Sequence, residues 1–287
     1  MLSIRAPAKI NLTLEVLPRR SDGYHGIRSV MVPLELADEL TIEPSNRFSF
    51  SCDREDLDDE ANLVLGAVRA LGDLPPVRIE LRKRIPVQAG LGGGSSDAAA
   101  VFRAAMAGAF GSVPSHDWLS LARALGSDVP FFLAETAALV EGTGERITPA
   151  GSIPQWHVLV IKPPVAISTA RAYADLDSRN RPQRPRSGCV SIAMLEALQR
   201  RHFDDAQALL QNDFHDAITA QSSEIGTALF ALRSAGASNA LLAGSGSCVF
   251  TVAADAQRIV GIDERLDLPE NYERFATRFA TTPQWTQ

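Results

Sequence analysis

The chain is poor in cysteine, with three in 287 residues, and poor in lysine, which supplies three of its 28 basic residues. Cys52, Cys189 and Cys248 are odd in number and widely separated. That excludes a disulfide framework and a paired-cysteine metal site, and leaves free thiols suited to a reducing compartment. Long apolar runs are missing too. The opening MLSIRAPAKINLTLEV interleaves polar residues, which excludes a signal peptide or a membrane span, so a cytoplasmic protein is expected. The net charge of −6 lacks the basic excess that nucleic acid demands, while a local basic pocket for a small anion stays compatible. With 45% apolar and 22% charged residues, disorder is excluded as well.

What is present begins with a strand. Ala6, Ala8, Ile10, Leu12, Leu14 and Val16 alternate with Pro7, Lys9, Asn11, Thr13 and Glu15, a period of two that predicts a half-buried strand with one polar face. After the turn SDGYHG, strands are expected over 27–36 and 40–43, and Asn62 suits the cap of a helix over 63–71. VRIELRKRI (77–85) predicts a strand ending at Pro86, and the alanine-rich stretch from Ser96 to Phe110 predicts a buried helix. Ser115 is expected to cap a further helix ending near Gly126, and Pro130 fits the first turn of the next. WHVLVIKPP (156–164) predicts a buried strand; SRNRPQRPRSG (178–188) predicts a loop, its four arginines solvated in preference to clamping a phosphate. Helices over 191–211 and 222–235, strands over 240–243 and 249–253 around the turn AGSGS, and a strand over 272–281 complete the reading. Strands and helices mix without strict alternation, so the expected class is α+β in two lobes, 1–150 and 151–287, joined between Gly144 and Gln155.

Between the strand over 77–85 and the alanine-rich helix lies AGLGGGSSDAAA (89–100). Glycines let backbone N–H groups converge, and the following helix adds unpaired first-turn amides and the positive end of its dipole. Strand, glycine loop and helix together predict a phosphate cradle. A Walker A loop is excluded because the chain contains no Gly-Lys pair, and the dinucleotide fingerprint fails because its sixth position, counted from Gly90, is Ser95. Ser95 and Ser96 offer hydroxyls to a phosphate oxygen or a magnesium ion. Asp97 reads as an acid complementing the helix dipole in preference to a ligand.

PVQAGLGGGSS (86–96) resembles the phosphate loop of the GHMP kinase superfamily, named for galacto-, homoserine, mevalonate and phosphomevalonate kinases. APAKINLTLEV, DGYH, GSDVPFF and AGSGS follow the family's order through most of the chain, and PAKINL with DGYH is the most specific part. They are similar to the branch whose alcohol is linked to cytidine diphosphate. The resemblance implies the two-lobed GHMP kinase fold with its active site in the cleft between lobes. It also implies ATP- and Mg2+-dependent phosphorylation of the 2-hydroxyl of a cytidine-diphosphate-linked methylerythritol, toward isoprenoid precursors. A monomer or weak homodimer is expected, without nucleic acid or membrane as partner. The nucleotide falls to Pro86, Val87, Gln88, Ala89, Gly90, Leu91, Gly92, Gly93, Gly94, Ser95 and Ser96, with Asn62 near the adenine. The substrate falls to Asn11, Tyr24, His25, Thr169, Tyr173 and Gly244, and no metal ligand is assigned. Met31 and Ala243 depart from the family's pattern.

Read from the residues alone, Asp128 before Val-Pro makes a good helix cap; the resemblance makes it the base that accepts the attacking hydroxyl's proton. Lys9 and Asn11, two apart on a strand, share a face and can enter one cleft. A lysine in a chain that otherwise uses arginine brings a compact point charge. The resemblance makes Lys9 the partner of Asp128, and has Tyr24 and Tyr173 stack on cytosine while His25 reads its edge. Three rivals stand beside this: a GHMP kinase for another alcohol, a nucleotide-binding regulator without catalysis, and a dehydrogenase with a degenerate dinucleotide loop.

Overall fold

The alternating N-terminal segment does form a strand, β1, and it extends over Leu2–Arg19. It pairs antiparallel with β2, His25–Pro44, from Leu2 opposite Ile42 to Arg19 opposite His25. The two strands expected over 27–36 and 40–43 are therefore one. Register shifts between Pro7 and Lys9 and between Asn11 and Thr13 let so long a ribbon bend without breaking. The structure, a computed structural model, describes residues 1–21, 23–111, 117–134, 136–178 and 189–281. Asp22, the expected cap Ser115 and all but the first residue of the arginine-rich loop lie outside them.

The remaining elements follow in order. β3 (Ser49–Cys52), α1 (Leu63–Ala70), β4 (Val77–Arg82), α2 (Gly93–Met106), α3 (Trp118–Leu125) and α4 (Val129–Ala134) lead to the hairpin of β5 (Ala138–Gly142) and β6 (Arg146–Pro149). Next come β7 (His157–Lys162), α5 (Thr169–Ser178), α6 (Val190–Gln199), α7 (Phe203–Ala208), β8 (Gln211–Asn212), α8 (His215–Thr219) and α9 (Ser223–Ser234). β9 (Leu241–Leu242), β10 (Val249–Ala253), α10 (Ala256–Asp263) and β11 (Glu273–Arg278) close the chain. Asp117 caps α3, its Oδ1 accepting the Ser120 N–H at 3.1 Å. The α+β class holds.

Among the described residues, seven strands form one sheet in the order β3-β4-β2-β1-β8, with β5 on the free part of β2 and β6 beyond it; four form a second, β11-β7-β10-β9. The sheets are sewn together at the bend of β2. Leu34 bridges Phe279, the Leu36 N–H donates to Thr277 Oγ1 at 2.9 Å, and the Ala280 N–H donates to Pro33 O at 2.8 Å. From the second half, β8 adds itself in parallel to β1 at Thr13 and Leu14.

The apolar residues of β1 divide between two cores at its bends. Ile4, Ala6, Leu14 and Val16 join the core around α1 and α2, whereas Ala8, Ile10 and Leu12 join the one around α6 and β7. In α2, alanines on most sides allow close approach to β1, and Phe102 fills the remaining space; burying such a ring contributes about 2–3 kcal/mol. The half-buried strand expected from alternation is corrected here. Lys9, Asn11, Thr13 and Glu15 are all buried, because α6 and the cleft wall cover the polar face. Polar groups tolerate this only when bonded: Thr13 Oγ1 lies 2.8 Å from Ser191 Oγ, and Glu15 Oε2 accepts the Ser191 hydroxyl at 2.6 Å and N–H at 3.2 Å.

Candidate active site

Beyond β4 the chain turns around Asp38, whose Oδ1 accepts the N–H of Arg84 at 2.5 Å and of Ile85 at 2.8 Å. Gln88, Gly90 and Gly92 then take φ of 51°, 76° and 74°. These alternate left-handed residues curl the backbone into an arc. Glycine is obligatory at two of them. A Cβ on Gly90 would stand 2.0 Å from the Ala243 carbonyl oxygen, and one on Gly92 2.8 Å from the Phe132 ring. The arc is tied on both sides: Lys9 N–H donates to Leu91 O at 2.9 Å, and Cys248 N–H donates to Ala89 O at 3.1 Å.

α2 starts at Gly93, three residues before the expected Ser96. Glycine's poor helix propensity hides that first turn in the sequence, and the tertiary ties of the loop enforce it. Gly92 is the N-cap and offers no side chain to the first-turn amides. Those N–H groups, with the positive end of a 14-residue helix, face the cleft as an anion site. Ser95 lines it; Ser96 is fully buried, and its hydroxyl has no partner among the described residues.

Asp97 differs from its expected role as an acid complementing the helix dipole. It is buried, with Lys83 Nζ 2.6 Å from its Oδ2, and the same ammonium lies 2.5 Å from Asp38 Oδ2. Burial drives the Asp97 carboxyl up to about 8, the Lys83 charge pulling against it and Asp38 pushing with it. Sequence reasoning missed this triad; the scarcity of lysine was the one signal that singled out Lys83.

Lys9 comes off β1 at the bend. Its Nζ donates to Asn11 Oδ1 at 2.8 Å and stands 3.4 Å from Asp128 Oδ2. Asn11 is locked in turn, donating to Ser29 Oγ at 2.8 Å while Ser29 donates to Thr13 O at 2.6 Å. Asp128 precedes α4, and among the described residues no first-turn amide of α4 bonds to its carboxylate, which faces Lys9. Asn62 does cap α1: its Oδ1 accepts the Val64 N–H at 2.9 Å, and its Nδ2 donates to Leu57 O at 2.8 Å, while the residue borders the cleft.

Tyr24 is exposed at the cleft mouth. His25 Nδ1 donates to Leu17 O at 2.8 Å, its Nε2 lies 3.0 Å from Asp177 Oδ1, and its ring stacks on Tyr173 at 5.5 Å and 21°. Phe214 holds Tyr173 edge-on at 4.9 Å. Burial, aided by the Asp128 charge, raises the Tyr173 hydroxyl to about 12, so it stays a neutral phenol. Tyr173, Asp177 and Thr169 belong to α5, a helix the sequence did not announce. Thr169 Oγ1 meets Ser245 Oγ at 2.9 Å. Gly244 packs on the glycine loop itself, where a Cβ would stand 2.8 Å from Gly90 O. Met31 and Ala243 are buried, Met31 in the cleft wall and Ala243 behind Gly90.

The glycine loop, Lys9, Asn11, Asn62, Asp128, Tyr24, His25, Thr169, Tyr173 and Gly244 border one cleft of about 1690 Å3, formed from both halves of the chain. Arg19, Arg20, Lys83 and Arg123 bring cations to it. A backbone anion site, a Lys–Asp pair and an aromatic corner in one cavity can bind a nucleotide beside a second molecule bearing a flat ring. Residues 62–136 match GHMP kinases N terminal domain, and residues 194–265 match GHMP kinases C terminal. A Deinococcus radiodurans protein named 4-diphosphocytidyl-2-C-methyl-D-erythritol kinase is 39% identical over 88% of this chain and 84% of its own.

The chain belongs to the GHMP kinase family. An Anaeromyxobacter relative with the same name is 41% identical over 85% of this chain and 80% of its own. A solved 4-(cytidine 5'-diphospho)-2C-methyl-D-erythritol kinase superposes with a TM-score of 0.77 at 32% identity, covering 97% of this chain and all of that one. Streptococcus pneumoniae phosphomevalonate kinase, solved with phosphomevalonate and AMPPNP, shares the fold with a TM-score of 0.66 at 16% identity, covering 96% of this chain and all of that one. In this GHMP kinase the glycine loop and Asp128 fall within the first matched segment and AGSGS within the second. Lys9, His25 and α5 lie in neither. No helix among the described residues is long and apolar enough to cross a membrane.

Proposed function

We propose that this GHMP kinase transfers the γ-phosphoryl group of ATP to the 2-hydroxyl of 4-diphosphocytidyl-2-C-methyl-D-erythritol, a step toward isoprenoid precursors. The observation that carries the proposal is the meeting, in one cleft, of the glycine loop, the Lys9–Asp128 pair and the His25–Tyr173 corner. Relatives that share most of the chain bear that substrate in their names. Phosphoryl transfer asks of a protein mainly positioning and charge stabilisation. The arc from Pro86 to Ser96 and the first turn of α2 cradle the phosphates, with Asn62 beside the adenine. Asp128 accepts the proton as the substrate oxygen bonds to phosphorus and the bond to ADP breaks. Lys9, oriented by Asn11, balances the charge that develops there. Tyr24, His25 and Tyr173 hold the cytosine, with Thr169 and Gly244 at the substrate's side.

Residues 1–150 form the lobe that carries ATP, and residues 151–287 complete the cleft. The fit for Mg2+ is that of an ion held mainly by phosphate oxygens and water. Among the described residues no group of three or more His, Cys, Asp or Glu could cage a metal, but the Ser95 hydroxyl and the Asp128 carboxylate, both bordering the cleft, suit such a partly ligated ion. When bound, it neutralises phosphate charge.

A coupled ADP-release assay decides the substrate. Faster turnover with the cytidyl substrate than with mevalonate, phosphomevalonate or homoserine is expected. Preference for any of those three overturns the proposal.

A further inference from the structure

The aromatic corner contains an acid that the proposed reaction does not use. Asp177, near the end of α5, faces His25 from 152 residues further along the chain, its Oδ1 3.0 Å from Nε2. We propose that Asp177 is a positioning residue that sets the base preference of the cleft by keeping a hydrogen on His25 Nε2. The inference rests on the reading of His25 as the group that meets a nucleobase edge.

The hydrogen-bond inventory around the ring carries it. Nδ1 faces the Leu17 carbonyl, which can only accept, at 2.8 Å. Nε2 faces a carboxylate, which when ionised also only accepts. Both contacts are satisfied together only by a ring with hydrogen on both nitrogens. Stacking on Tyr173, itself fixed by Phe214, sets the plane of the ring. The Nε2–H is therefore presented in a fixed direction at the cleft wall, and the Asp177 side chain, 40% exposed, has water behind it into which it can withdraw.

Both bases carry an acceptor at O2, but at N3 cytosine is an acceptor whereas uracil carries N3–H, a donor. A His25 that donates at Nε2 suits the first and meets a like group on the second. Without the carboxylate, a neutral ring keeps its single hydrogen on Nδ1 for Leu17, and Nε2 becomes an acceptor. That reversal favours the uracil edge.

Titration calorimetry of the full chain with CDP and with UDP tests this. The unaltered protein should bind CDP more tightly. Asp177→Asn should lower the CDP-over-UDP ratio about tenfold or more, the worth of one hydrogen bond to a charged partner, and Asp177→Glu should retain most of it. A merely structural role would also shift ATP affinity and melting temperature, and both should stay at their original values. In turnover, the Asn variant should raise KM for the cytidyl substrate with kcat within about twofold. An unchanged CDP-over-UDP ratio in Asp177→Asn overturns the role of Asp177 while leaving the nucleobase reading intact. Equal binding of CDP and UDP by the unaltered protein overturns both.

Discussion

Two of the three lysines of this GHMP kinase lie against aspartates beside the same glycine loop, and their settings differ. Lys83 is gripped between Asp38 and Asp97 at 2.5 and 2.6 Å, and both acids are sealed, with side chains 0% and 3% exposed. Lys9 stands 3.4 Å from one acid, Asp128, whose side chain is 27% exposed. The lysines themselves are equally buried, at 6% and 5%, so burial of the cation does not separate them. The acids do. An ammonium shared at short range between two sealed acids works as a brace for the loop. A longer pair that opens on water leaves lone pairs of Asp128 free to take a proton. The weaker contact is the one that the proposed mechanism uses.

The largest effect should come from Asp128→Asn, which keeps the shape and removes the proposed base. We expect kcat to fall by about 10²–10⁴-fold with ATP affinity unchanged. Full turnover in this variant would erase the distinction between the two pairs.

Next in size is the contrast of the lysines themselves. Lys83→Met strands a buried carboxylate and should cost about 3–5 kcal/mol of stability in denaturant unfolding. Lys9→Met leaves Asp128 to water and should cost about 1 kcal/mol while cutting turnover sharply. Equal losses of stability would show that both lysines are braces.

The last contrast concerns pH. The Asp97 carboxyl, raised by burial from 3.8 to about 8, keeps its proton in the folded chain through a range where the unfolded chain releases it. Stability therefore falls as pH rises from about 4 to about 8. Asp97→Asn removes this slope, so calorimetric melting should show the variant gaining on the parent as pH is raised across that window. A gap that stays constant with pH would mean that Asp97 is ionised in the folded protein.

How much of this was legible varies from residue to residue. Alternation marked β1, and glycine content marked the left-handed arc before α2, because both are local consequences of chain geometry. The helix start at Gly93 was illegible, since glycines disfavour helix and only the ties to Lys9, Ala243 and Cys248 impose it. The polar face of β1 looked half exposed because a period of two marks two faces without saying what covers them. α5 passed unseen, a polar helix placed by its contacts with His25, Phe214 and Ser245. Asp38, Asp97 and Asp177 carry no motif that ties them to their partners, and each meets its partner across a gap of 14 to 152 residues.

By itself, then, the amino-acid sequence determined the α+β class, the long first strand, the bare glycine backbone ahead of α2, and the motifs that mark Lys9, Asn11, His25 and Asp128. These depend on propensity, periodicity and the steric freedom of glycine, which act over a few residues. The tertiary structure alone decided which lysine meets two sealed acids and which meets one partly exposed acid, and that an acid on α5 faces His25. Burial and charge pairing are properties of neighbours in space, and folding chooses those neighbours from segments far apart in the chain.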